Sequence, residues 1–243
     1  MPFLISPHDL EAVKDAHDLD SLKERTQKVV ELLGFEGFMY VMVWREDALA
    51  NDPKTVFLGT YDPDYMKVYQ ERQWFRIDPA SLHVLRHHLP LAWTKADFAS
   101  PEARPVLEAA LQHGVGAGAI FPVVSSNASI AGMGIARDAD PDAEHERTLQ
   151  MLPYGQLLAI YVHAAVSRIL KHLIPPAIKD LSQRERECLQ LAAQGMRDAE
   201  IARTLNITTR TVISHLSSAR DKLQADNRAQ MIAKAMALKI IGL

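Results

Sequence analysis

The sequence predicts two domains of different class: an α/β domain built as an α-β-α sandwich around a central antiparallel sheet, then an all-α helix-turn-helix bundle of four helices. Three observations carry this. Aromatic and β-branched runs alternate with amphipathic stretches as far as residue 172, residues 181–243 hold only helical periodicity, and Pro175-Pro176 stands between them. With 243 residues, 48% hydrophobic and 23% charged, the chain is long enough for two cores.

In chain order, residues 8–33 read as helical, with Leu10, Val13, Leu19, Leu22, Val29, Val30, Leu32 and Leu33 set among charges. Residues 38–44 and the shorter run 55–58 are rich in aromatic and β-branched side chains and read as strands. Residues 62–73, 79–88 and 101–111 look helical. Residues 116–124 and 130–137 are apolar, glycine-containing strands, and Asn127 marks a hairpin turn between them. Residues 141–172 make one long helix carrying Leu149, Leu152, Leu157, Ile160, Val162, Val166 and Ile169, with Pro153 as a site for a kink.

Consecutive prolines end a helix and favour extended backbone, so the domains divide as 1–172 and 181–243 with a linker at 173–180. A tether this short restricts how the two domains orient.

In the second domain, Ser182 followed three residues later by Glu185 is a capping box. Cys188, Leu189, Leu191, Ala192 and Ala193 supply a buried face, and Gly195 ends the helix. Ile201, Ala202 and Leu205 line a second short helix, and Asn206-Ile207 makes the turn. Thr208 caps a third helix whose Val212, Leu216, Ala219 and Leu223 recur on one side. Arg210, Ile213, Ser214, Ser217 and Arg220 then face outward. Short polar side chains between arginines suit a DNA major groove, because they let the helix approach the base edges. An ordinary amphipathic bundle has the same periodicity, and charge separates the two readings. Residues 177–243 hold 11 Lys and Arg against 7 Asp and Glu, a net +4, whereas residues 1–176 hold 16 against 23, a net −7. Only the second domain is equipped to displace counterions from DNA. A last helix at 228–241, with Met231, Ile232, Ala235, Met236, Ile240 and Ile241, carries more apolar surface than a three-helix core requires.

In the first domain, Tyr61, Tyr65, Tyr69, Trp74, Phe75 and Trp93 gather around Asp78, and the three tyrosines at spacing four share a helical face. Such a stripe is what a packed aromatic core looks like. It is also what a receptor pocket looks like, since buried phenols and a buried carboxylate need partners that an amide-containing ligand can supply. On the residues alone both readings stand.

The second domain, through its Leu-Ser-Gln-Arg-Glu-Arg-Glu opening, Glu185, Leu189, Gly195, Glu200-Ile-Ala, Thr211-Val, His215-Leu, Lys222-Leu and Asn227-Arg, resembles the DNA-binding domain of LuxR-type regulators. The first resembles that family's acyl-homoserine-lactone-binding domain through Tyr61, Tyr69, Asp78-Pro79, Trp93 and Gly114-x-x-x-Gly118 followed by Pro122. Together the two cover essentially the whole chain. The resemblance implies that Asp78 binds a ligand amide N–H, that Tyr61 binds its acyl carbonyl, and that Trp93 walls the lactone. Tyr65, Tyr69, Phe98 and Gly134 complete the ligand set. On the outward face of the third helix the expected DNA contact set is Thr209, Arg210, Thr211, Ser214, Ser217, Arg220 and Lys222. The chain departs from the family in two places: Tyr65 stands where a Trp is usual, and Gly134 where many members have Ser or Thr. Both change the pocket's volume and donors, which points to an unusual acyl group, branched or aryl, or to a non-lactone signal.

Other function classes fit poorly. A phosphorylation-driven response regulator needs acidic residues after strands, and Asp15, Asp18 and Asp20 lie in the helical stretch. An enzyme needs an oriented nucleophile or a metal cluster; His87-His88 point about 100° apart on a helix and no HxHxDH or HExxH spacing occurs. His215 reads as packing at the small domain's edge, and the single Cys188 as buried core without disulfide or metal. No cofactor or metal is expected. The N-terminus lacks a basic and long apolar segment, so a cytoplasmic protein with no membrane partner is expected. One helix-turn-helix makes few contacts, so a homodimer on a near-palindromic promoter site is expected, tuned by the small-molecule autoinducer.

Overall fold

The computed structural model describes residues 5–44, 54–124, 130–170, 181–237 and 240–242. The chain divides into two compact units, one drawn from Met1–Val43, Thr55–Ser125 and Ile130–Leu170, the other chiefly from Lys171–Leu243. The expected linker at 173–180 and the turn at Asn127 lie outside the described residues.

The first unit opens with two helices where the sequence suggested one: α1 (Pro7–Lys14) and α2 (Leu19–Leu32). The break has a local cause. Asp18 takes extended backbone and accepts from Ser21 N at 2.7 Å, starting a new helix. The strands are β1 (Gly37–Trp44), β2 (Lys54–Gly59), β3 (Leu91–Ala92), β4 (Ala117–Val124) and β5 (Ile130–Arg137), in the order β2-β1-β5-β4-β3. β1 with β5, β5 with β4 and β4 with β3 all pair antiparallel. The two-residue β3 was too short to read as a strand. Between strands lie α3 (Pro63–Glu71), α4 (Pro79–Arg86) and α5 (Arg104–Gln112). Then α6 (His145–Ile169) runs through Pro153 as one helix.

Register sorts the side chains between the two faces, because directly paired residues share a face. Tyr40, Met133 and Phe121 fall on one side, with Phe38 and Ile135 beside them, and all five are fully buried. This face packs on α6: a Cβ on Gly155 would sit 2.1 Å from the Phe121 ring, and the Tyr40 hydroxyl meets His163 Nδ1 at 2.6 Å. Burial lowers the His163 pKa, which favours the neutral ring that accepts from Tyr40. The opposite face carries Gly132 against Pro122, Gly134 against Ile120, and Gly118 against Ala136. A Cβ at Gly132 would meet Val84 of α4 at 2.8 Å. Helices therefore cover both faces, but the second face has glycine where the first has large hydrophobics.

The second unit is the helical bundle α7 (Gln183–Ala193), α8 (Asp198–Leu205), α9 (Thr209–Lys222) and α10 (Arg228–Ala237). Gly195 (φ +88) turns the chain out of α7, and Asn206 (φ 52) ends α8 in a left-handed conformation that asparagine tolerates. Leu189, Cys188, Ile201, Val212, Ala219, Met231 and Ala235 form the core. The last helix is shorter than the expected 228–241. Beyond it Ile240 N donates back to Ala235 O and Ile241 is buried, so much of the apolar surface is consumed inside the bundle. Among the described residues no helix is long and apolar enough to cross a membrane.

Candidate functional site

Asp78 caps α4. Its Oδ1 accepts from Ala80 N at 2.9 Å and Pro79 fills the first helical position, a proline that wants the preceding residue extended. The carboxylate's other oxygen accepts from the Tyr69 hydroxyl at 2.6 Å and from Ser81 Oγ at 3.1 Å, while those two hydroxyls lie 2.7 Å apart. Ser81 was missed from sequence, although its place three residues after the cap is a recognisable signal. Asp78 is 8% exposed, and its named donors are all neutral. Burial pushes its carboxyl above the ordinary 3.8, and the hydrogen bonds from Tyr69, Ala80 and Ser81 only partly oppose this.

The other aromatic residues form one cluster around it, except Phe75, which the sequence placed there but which is 45% exposed and outside the cluster. Tyr65, Trp74, Trp93 and Phe98 are buried there, with Tyr61 and Tyr69 packed against them. Tyr65 contacts the Tyr69 ring at 5.8 Å and the His113 ring at 5.8 Å, and His113 in turn pairs with Asp62, the cap of α3, at 3.3 Å. Trp93 donates its indole N–H to Gly116 O at 2.7 Å and lays its ring where a Cβ of Gly118 would be. The Tyr61 hydroxyl is buried and has no hydrogen-bond partner. Burial pushes its phenol well above the ordinary 10.0, with Tyr65 and Asp78 adding to the effect. It lies 3.2 Å from where a Cβ of Gly134 would stand. The structure thus brings together all seven residues of the expected ligand set. Tyr69 spends its hydroxyl on Asp78, and Trp93 its N–H on backbone, while the Tyr61 hydroxyl remains a buried donor without a partner.

In the second unit Thr208 Oγ1 accepts from Thr211 N at 3.1 Å and starts α9. Val212, Leu216, Ala219 and Leu223 are buried, as the periodicity predicts. Thr209, Arg210, Ser214 and Arg220 are exposed, Thr211 and Ser217 half-buried, and the His215 ring is half-buried at the edge. Lys222 is placed otherwise than expected. Its Nζ lies 2.7 and 3.0 Å from the two oxygens of Glu185, so its charge is engaged inside the bundle rather than standing free for phosphate. Glu185 also accepts from Ser218 Oγ at 2.6 Å and from Ser182 N at 2.6 Å, completing the capping box. Burial alone would raise its carboxyl, but the hydrogen bonds from Lys222, Ser218 and Ser182 outweigh this and hold it at about 2.

Of the residues weighed for other chemistry, Asp15, Asp18 and His87 have structural roles, and α4 ends at Arg86, so His87-His88 lie beyond the helix that the sequence extended over them. Asp18 caps α2 and Asp15 ends α1. The His87 ring stacks on His83, centroids 4.4 Å apart, and His83 Nε2 lies 2.8 Å from Leu89 O. Among the described residues no group of three His, Cys, Asp or Glu is placed to hold a metal ion.

Residues 18–166 match the autoinducer binding domain family, and residues 179–235 match the luxR family of bacterial regulatory proteins. The quorum sensing-dependent transcriptional regulator RpaR of Rhodopseudomonas palustris is 30% identical over 239 residues, spanning 96% of this chain and 95% of its own length. Two solved structures share the fold at 24% identity. Escherichia coli SdiA superposes with a TM-score of 0.73 over 96% of both chains, and SdiA in complex with octanoyl-rac-glycerol with 0.69 over 94% of this chain and 92% of that one. With a ligand-type domain of the first family joined to a helix-turn-helix of the second, the chain belongs to the LuxR family of quorum-sensing transcriptional regulators.

Proposed function

We propose that this regulator binds an N-acyl-homoserine lactone with an unusual acyl group, branched or aryl, on the glycine-lined face of its sheet. Occupied, it reads a near-palindromic promoter site as a homodimer in the cytoplasm. The domains act as 1–172 for signal, 173–180 for linkage and 181–243 for DNA. One observation carries the ligand reading: a buried hydroxyl without a partner, on Tyr61, clustered with a buried carboxylate whose named donors are neutral. An unpaired buried hydroxyl costs about 1–3 kcal/mol, which a ligand carbonyl would recover. Asp78 would accept from the amide N–H, Tyr61 would donate to the acyl carbonyl, and Tyr65, Tyr69, Trp93 and Phe98 would cover the apolar parts. Gly134 leaves beside Tyr61 the space that a serine or threonine would take. Burying the ligand stabilises the folded first domain by mass action and so favours the DNA-competent dimer.

Pairing is supported by α6, where Leu149, Leu157 and Ile160 lie along one side and are 38, 42 and 48% exposed. On DNA, Thr209, Arg210, Thr211, Ser214, Ser217 and Arg220 would make the contacts, with Lys222 contributing through its hold on Glu185. A non-lactone signal is the second reading. It is favoured by Tyr65 standing where a tryptophan is usual, and a protein of this fold, SdiA, has a solved structure in complex with octanoyl-rac-glycerol.

The deciding experiment expresses the chain with straight, branched and aryl acyl-homoserine lactones and with octanoylglycerol, and records soluble yield and Tm. A lactone-specific rise supports the first reading, an acylglycerol-specific rise the second. No rise with any of them removes both.

A further inference from the structure

We propose that Ile213 reads thymine, packing on the 5-methyl group of that base in the major groove and so setting one letter of the operator half-site. The inference rests on the DNA-reading role of α9 proposed above and gives it a chemistry. Ile213 is 53% exposed, the one large hydrophobic so exposed among the described residues of α9. It borders a shallow hollow of about 480 Å³ shared with Ser214, Ser217 and Ser218, and with Asp221 and Lys222 at the far end. Lys222 and Ser218 are tied to Glu185, and Asp221 lies 3.6 Å from Arg220, so beside Ile213 the hollow is walled by short serine side chains.

Serines let the helix backbone approach, which carries the longer Ile213 to the base edges first. There an aliphatic group displaces water without replacing its hydrogen bonds. Opposite a polar base edge it strands donors and acceptors; opposite thymine it meets the only methyl group that the major groove offers. A lone exposed isoleucine elsewhere on the surface would need no explanation. On a face otherwise made of serine, threonine and arginine, the face proposed to be desolvated against DNA, it selects its partner.

The test begins with the full-length chain selecting sites from a randomised duplex library. Each thymine of the recovered half-site is then replaced in turn by deoxyuridine, which lacks only the methyl. The expected result is one position per half-site where that replacement weakens binding about fourfold, the worth of one buried methyl. Ile213→Val keeps part of this discrimination, and Ile213→Ser binds the two duplexes alike. A wild-type chain indifferent to the methyl at every position, or an Ile213→Ser variant with full discrimination, overturns the assignment. A wild-type chain that enriches no sequence sinks the DNA-reading role of α9, and the role of Ile213 with it.

Discussion

Two carboxylates are buried among the described residues, Asp78 at 8% exposure in the first unit and Glu185 at 5% in the second, and their environments push them in opposite directions. Each is at a helix N-terminus and accepts from a hydroxyl and a backbone N–H. The difference is one cation. Glu185 holds the Lys222 ammonium in both oxygens and falls to about 2, whereas the donors named for Asp78 are phenol, hydroxyl and amide, and it stays raised. A buried charge with its counter-ion is finished and serves the fold. One with only neutral partners costs the fold something, and is the kind of group kept for binding.

The largest effect that would break this contrast is at Glu185. Its carboxyl falls from an ordinary 4.5 to about 2, so Glu185→Gln should destabilise the helical unit by about 3 kcal/mol, measured by urea unfolding. A loss under 1 kcal/mol would show that the pair is not structural. Asp78→Asn should behave in the opposite way. The unliganded Tm should hold or rise, while the ligand-induced rise, roughly 5–10 °C at a hundredfold excess over Kd, disappears. An undiminished rise would remove Asp78 from the site.

The pH dependence sharpens the same comparison. Glu185 lies below its unfolded value, so its contribution is complete above pH 4.5 and is lost as pH falls toward about 2. Asp78 lies above its unfolded value, so its contribution is complete below pH 3.8 and is lost as pH rises through the raised folded value. The ligand-induced rise in Tm should grow over that upper interval as the carboxylate forms, and should be flat in Asp78→Asn. The smallest effect concerns Gly134→Ser. A hydroxyl beside Tyr61 would give it an internal partner, raising unliganded stability by about 1 kcal/mol and lessening what the ligand adds. Unchanged stability with an unchanged ligand response would mean that Tyr61 is not a free donor.

Much of the molecule was legible beforehand where local chemistry dominates. The caps at Ser182 and Thr208, the turn at Gly195 and the inward stripe from Val212 to Leu223 all follow from spacing, because helical geometry repeats over a few residues. The break at Asp18 was local too, but its cap was masked by helical periodicity on either side. Other features were not local at all. The pairing of Lys222 with Glu185 spans 37 residues, and that of Tyr40 with His163 spans 123.

By itself the sequence determined the order of elements, the all-helical character of the last 63 residues and the aromatic cluster with Asp78 in its midst, since each depends on residue type and short-range period. The tertiary structure alone decided which hydroxyl is spent and which is free. It also decided which lysine is held inside, and that Gly118, Gly132 and Gly134 share the face opposite Phe121 and Met133. Those outcomes turn on strand register and on contacts between distant segments. A shift of one residue in the β4–β5 pairing would exchange the faces, and no short-range pattern states which register wins.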